Sequence, residues 1–196
     1  MSQKKARAAR QSRASGMPAA STRGRSPVIV GVVAVTVVAL VGIGLLAARG
    51  TGPAAAVNVS SGKEISLSGT DPVTGEQVSL VDYAGKPVVL NVWGSWCEGC
   101  RAEAVDLREF VKKHPEAQTI GIDLQDSKGG AKAFYEQWDW THPSMFDPDG
   151  EISFSLGLQG TPSTFFLDRE HRIVTRIVGA TDLAGFEQAL EQALST

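Results

Sequence analysis

Two cysteines occur in this chain of 196 residues, and they fall in one cluster, Trp96-Cys97-Glu98-Gly99-Cys100. The run before them, Val88–Trp93, is apolar and rich in β-branched residues, which predicts a strand. From Glu98 onward the apolar residues recur at helical spacing. A strand that ends in Trp-Cys-x-x-Cys and opens into a helix is the sequence form of a thiol–disulfide redox site. It also constrains the fold: a continuously apolar strand needs cover on both faces, so an α/β sheet is expected around it.

The chemistry follows from position. A thiolate attacks disulfides and a thiol does not. Cys97 is expected at the helix N-terminus, where free backbone N–H groups and the helix dipole favour negative charge. Cys100 falls on the buried stripe Cys100, Ala104, Leu107, Val111 and is suited to resolve a mixed disulfide from within. Cys97 is therefore the attacking and Cys100 the resolving thiol. A zinc site needs about four ligands, and the three histidines, His114, His142 and His171, are scattered. Covalent haem needs His after the second cysteine, where Arg101 stands. A purely structural bridge is the other reading, although a loop this small restrains the unfolded chain little. No metal and no cofactor are expected.

Composition says where the chemistry happens. Residues 1–49 hold eight Lys/Arg and no Asp or Glu, against 11 and 21 in the remainder. Val28–Ala48 is an uncharged run of 21 residues. As a helix it spans roughly 30 Å, enough to cross a bilayer core. The basic residues precede it, so the N-terminus is expected in the cytoplasm and the remainder outside. The run is longer than a signal-peptide core, which favours an uncleaved anchor over cleavage near Ala54-Ala55-Ala56. The expected organisation is a basic, disordered cytoplasmic tail (1–26), a transmembrane signal-anchor (27–48), a linker (49–62) and a globular domain (63–196). Nucleic-acid binding by the basic arm is disfavoured by the apolar segment that follows it.

Within the domain, Glu64–Ser68 and Gln77–Leu80 are predicted strands around a turn at residues 71–75, and Pro87–Trp93 is the next strand. The helix after the motif ends near His114-Pro115. Gln118–Leu124 is predicted as a strand, Lys128–Trp138 as a helix and Glu151–Leu156 as a short helix. Ser163–Asp168 and Arg172–Val178 form an antiparallel pair. Asp182 caps a last helix with the core stripe Leu183, Phe186, Leu190, Leu194. The order predicts a mixed central sheet flanked by helices.

From about Ile65 to Ala193 the chain resembles the TlpA/ResA-like branch of the thioredoxin superfamily. Three separated stretches carry the resemblance: Gly85–Trp93, Trp96–Glu103 and Gly160–Phe166. It implies a thioredoxin-like fold and a membrane-anchored or exported bacterial thiol–disulfide oxidoreductase. Several members of that branch serve cytochrome c maturation. Pro162 matches the family's cis-proline, which aims the backbone of Thr161 at a substrate chain. Glu103 matches a glutamate near the cysteines, one turn beyond Cys100, which can pass protons to and from that thiol; a solvated helix glutamate is the plainer reading. Asn91 stands where thioredoxin has a buried aspartate and cannot titrate. Trp93 and Trp96 are expected to pack around the motif. Trp96, Thr161 and Pro162 are the candidate substrate-binding residues, and Cys97, Cys100 and Glu103 the catalytic ones. Trp138 and Trp140 fit the core by default. Two departures stand out: Gly99 occupies a position where many members have proline, loosening the first helical turn, and Glu98 puts a negative charge beside the thiolate.

The leading expectation is an extracytoplasmic reductant of protein disulfides, for example that of apocytochrome c, recharged by a membrane-embedded thiol donor. An oxidase of exported proteins is the alternative, because small changes in thiolate stabilisation move the potential across much of this fold's range. A non-catalytic surface-binding module is the alternative from another class. A peroxiredoxin-type peroxidase is disfavoured, since no Pro-x-x-x-Thr-x-x-Cys run exists.

Overall fold

The computed structural model describes residues 56–58, 62 and 64–195. The expected tail (1–26) and apolar segment (27–48) lie outside the described residues. Among those described, no helix is long and apolar enough to cross a membrane. The strands are β1 (Ala56–Asn58), β2 (Ser68–Thr70), β3 (Gln77–Ser79), β4 (Val88–Trp93), β5 (Gln118–Leu124), β6 (Ser144–Asp147), β7 (Ser163–Leu167) and β8 (Ile173–Val178). The helices are α1 (Glu98–Lys113), α2 (Lys128–Trp138), α3 (Glu151–Ser155) and α4 (Leu183–Leu194), with a 3₁₀ turn at Leu80–Tyr83.

The main sheet runs β1-β8-β7-β4-β5-β6, and β2–β3 is a separate hairpin. β4, β5 and β6 are parallel, whereas β7 is antiparallel to both β4 and β8. Successive parallel strands step in one direction, so right-handed crossovers carry α1 and α2 over the same face. That face collects Val89 and Trp93 with Cys100, Leu107 and Phe110 of α1, Phe134 of α2 and Phe186 of α4. The opposite face packs Val88, Leu90 and Val92 with Ile120, Ile122 and Phe165 against Val78, Leu80 and Leu156. Every residue of β4 is buried, Asn91 included. This central position is what the apolar run demanded, and it fixes the strand that delivers the cysteines.

Four expectations need correction. The strand expected at Glu64–Ser68 lies later, at Ser68–Thr70; Glu64 makes only an isolated bridge to Arg172. Part of the expected linker is strand β1, paired with β8 from Ala56↔Ile177 to Asn58↔Thr175. Ser144–Asp147, flanked by Pro143 and Pro148, forms an edge strand; a run that short between prolines carries no periodicity of its own. In α1 the buried residues are Cys100, Glu103, Ala104, Leu107 and Phe110, whereas Val111 is only half-buried. Counting Glu103 as polar shifts the apparent stripe by one position, because the true face includes it. Trp140 is buried and makes edge contacts with Trp93 and Phe134, with centroids 5.3 and 5.0 Å apart. Trp138 packs against the same cluster, so both tryptophans belong to the core.

Candidate active site

β4 ends at Trp93, and the chain turns through Gly94-Ser95-Trp96 into α1. Gly94 is required by close approach: a Cβ there would lie 2.6 Å from Nε1 of Trp96. The Trp96 indole lies over this turn and donates to the Leu124 carbonyl (3.2 Å), leaving half of the residue exposed. Ser95 is held from two sides. Its N–H and Oγ donate to the Asp126 carboxylate at 2.5 and 2.9 Å, and the Arg101 guanidinium donates to its carbonyl.

Cys97 is the N-cap of α1 and Cys100 lies in its first turn, and the two form a disulfide. The Cys100 N–H donates to Cys97 Sγ (3.1 Å). After reduction the same N–H and the helix dipole are available to a Cys97 thiolate. Cys97 is 4% exposed and Cys100 fully buried, an asymmetry that suits an outer attacking and an inner resolving sulfur.

Glu103 faces inward from the next turn and is 1% exposed. Its Oε1 accepts from Asn91 Nδ2 (2.9 Å) and its Oε2 from the Thr181 N–H (3.2 Å). Asn91 Nδ2 also donates to Thr164 Oγ1 (2.9 Å), so β4, β7, α1 and the turn before α4 meet at this group. Burial pushes the Glu103 carboxyl up to about 8, against the lowering effect of the Asn91 and Thr181 hydrogen bonds. The solvated-glutamate reading is thereby set aside: this side chain is a buried acid one turn beyond the buried Cys100 sulfur.

The Thr161–Pro162 peptide is cis, and Pro162 is buried at the start of β7. It sits directly on the redox turn: a Cβ on Gly99 would lie 2.8 Å from Pro162 Cδ. Gly99 thus serves close packing between α1 and Pro162 rather than merely loosening the helix. Gly99→Ala is expected to destabilise the protein by about 1–3 kcal/mol through overpacking, outweighing a propensity gain of at most about 1 kcal/mol. A thermal melt checks this, and an unchanged or raised Tm would refute the contact.

The structure therefore brings Cys97, Cys100, Glu103 and Pro162 together, with Thr161 beside Pro162 and Trp96 on the rim. Thr164, Asp126 and the Thr181 N–H escape sequence reasoning, because each reaches the site through tertiary contact alone. Among the described residues no cluster of His, Cys, Asp and Glu is arranged to hold a metal ion.

A mixed sheet that presents a helix-capping Cys-x-x-Cys disulfide to a proline on the neighbouring strand defines a thioredoxin-like thiol–disulfide oxidoreductase. The chain belongs to the AhpC/TSA family, whose model matches residues 61–176. It is similar to the thiol-disulfide oxidoreductase ResA of Bacillus thuringiensis subsp. konkukian, with 29% identity over 67% of this chain and 77% of that protein. The thiol:disulfide interchange protein DsbE of Pseudomonas aeruginosa is 34% identical over 54% of this chain and 58% of its own length. Among solved structures, a DsbF homologue from Corynebacterium diphtheriae superposes with a TM-score of 0.64 at 29% identity, covering 73% of this chain and 96% of that one. A secreted thiol-disulfide isomerase from Corynebacterium glutamicum gives 0.62 at 26% identity, over 71% and 90%.

Proposed function

We propose that this enzyme is an extracytoplasmic reductant of protein disulfides. Cys97 attacks a substrate sulfur and forms a mixed disulfide. Cys100 then attacks Cys97, which releases the reduced substrate and leaves the Cys97–Cys100 disulfide. Glu103 takes up the proton that Cys100 loses as the disulfide forms, holds it in the oxidised protein and returns it on reduction. Thr161, Pro162 and the exposed Trp96 form the platform on which the substrate chain lies. The observation that carries the reading is the buried Glu103 one turn beneath a disulfide that caps α1.

The direction is supported by Glu98. This carboxylate in the first turn of α1 opposes a thiolate on Cys97. A destabilised thiolate favours the disulfide form and makes the dithiol the stronger reductant. Residues 27–48 anchor the domain on the outer side of a bacterial cell membrane, and residues 1–26 stay in the cytoplasm; the uncharged run after a basic arm supports this. A membrane-embedded thiol carrier returns the electrons, since a reductant outside the cytoplasm must be recharged. Apocytochrome c is the proposed substrate, on the family resemblance of the three motifs.

Equilibration with glutathione tests the direction. The expected potential lies near the reducing end of this fold, about −270 mV, and a value near about −120 mV would assign the oxidase reading instead.

A further inference from the structure

A second buried acid lies beneath the redox turn, and the exchange chemistry does not use it. Asp123 is the Cα partner of Trp93 at the C-terminal end of β5. It is fully buried, and neither carboxyl oxygen has a hydrogen-bond partner of normal geometry. An ionised carboxylate is costly in such a place, so the group is held neutral. Burial first, and then the Asp126 carboxylate beside it, push Asp123 up to about 8. Asp126 in turn grips Ser95, two residues before Cys97. The grip has no slack: a Cβ on Gly130, in the first turn of α2, would lie 2.5 Å from Ser95 Oγ and 2.6 Å from Asp126 Oδ1.

We propose that Asp123 and Asp126 form an acid–carboxylate couple that positions the redox turn. Asp126 holds Ser95 through two hydrogen bonds, and neutral Asp123 beneath it leaves that carboxylate without a rival charge. Ionisation of Asp123 sets two negative groups side by side, loosens the hold on Ser95 and alters the reactivity of Cys97. Both are positioning residues, and the inference rests on Cys97 as the attacking thiolate.

The surrounding charges do not relieve the couple. Asp71, from the turn between β2 and β3, and Asp147 of β6 add negative field at Asp123. Their carboxylates are occupied by the N–H groups of Val73, Thr74, Ser144, Ile152 and Ser153. Burial holds His142 down to about 4 and pushes Tyr135 of α2 well above its ordinary value, so both are neutral when Asp123 titrates. Lys128, at the start of α2, lies over Phe146, the β6 partner of Asp123 in register, at 5.7 Å.

The test is the rate of Cys97 alkylation by iodoacetamide in the full chain between about pH 6 and pH 10, the range that covers a buried acid and a thiol. Cys100→Ser removes the competing thiol and Glu103→Gln removes the other buried acid. In that background the profile is expected to show two steps, the ionisation of Cys97 and a second set by Asp123. Adding Asp123→Asn abolishes the second step. Adding Asp126→Asn abolishes it too, which keeps the test open if Asp123→Asn fails to fold. A second step that survives both substitutions, or is absent from the start, overturns the proposal while leaving the attacking role of Cys97 intact. Failure of Cys97 to react at all overturns that role and this inference together.

Discussion

Cys97→Ser abolishes the reduction of insulin or apocytochrome disulfides, down to the rate of the free dithiol that supplies electrons. The loss is complete rather than partial because the hydroxyl that replaces Sγ is not a nucleophile towards sulfur at neutral pH, and no second thiol takes over. Cys100 cannot substitute, because it is fully buried inside the first turn of α1. The companion substitution gives a different result. Cys100→Ser leaves the first attack possible and removes the second, so a mixed disulfide with the substrate accumulates on Cys97. The measurement is paired: turnover for both variants, and non-reducing electrophoresis for the trapped adduct. Undiminished turnover in Cys97→Ser, or an adduct on Cys100 in place of Cys97, would reverse the assignment.

The cysteines were legible in the sequence because their chemistry is local. Three residues of spacing at a strand–helix junction place one sulfur at the cap and the other one turn inside, whatever packs around them. The long strands β4 and β5 and the helices α2 and α4 were legible for the same reason, since β4 is a continuous apolar run and the others carry an apolar period of their own. Glu103 was readable as a candidate only through the family resemblance, and its inclusion in the buried face is what displaced the expected stripe from Phe110 to Val111. β6 and the Ala56–Asn58 strand were not legible, because short edge strands are fixed by a neighbour's free backbone groups rather than by their own pattern. Asp123 and Asp126 show why half of the site stays hidden. Nothing in Ile122-Asp-Leu-Gln-Asp126 distinguishes an acid buried under the redox turn from one on the surface. Only the pairing of β5 with β4 puts the first beneath Trp93 and the second against Ser95.

The two buried acids also make the stability of the oxidised protein fall as pH rises, and Glu103→Gln makes it fall less. In the folded state Glu103 and Asp123 titrate at about 8, against ordinary values of 4.5 and 3.8. A carboxyl whose folded value is raised contributes stability that is whole below its unfolded value and is lost as pH climbs to the folded one. Each group therefore removes about 1.4 kcal/mol per pH unit across that window. His142 acts in the opposite sense: its folded value of about 4 lies below the ordinary 6.5, so its neutral burial costs stability only as pH drops from 6.5 towards 4. Between pH 4.5 and 6.5 the histidine offsets one acid, and the net decline is that of a single group. From pH 6.5 to 8 both acids act unopposed, for a loss on the order of 4 kcal/mol, a large share of the 5–15 kcal/mol that holds a domain together. The expected fall in Tm over that interval is about 10–20 °C. Glu103→Gln halves the slope. It also gives up one of the two hydrogen bonds that the carboxyl accepts from Asn91 and Thr181, a cost of about 1 kcal/mol, because an amide has a single acceptor oxygen. The native carboxyl has given up about 2 kcal/mol by pH 6, so the variant is less stable than the native protein at about pH 4 and more stable from about pH 6 upward, and the two stability curves cross at about pH 5. Denaturant titrations of the oxidised protein at a series of pH values measure this directly, since disulfide-bonded cysteines do not titrate. Parallel curves would mean that Glu103 holds no proton in the oxidised fold at neutral pH, and the proton that Cys100 loses would then pass on to solvent instead of resting on this carboxyl.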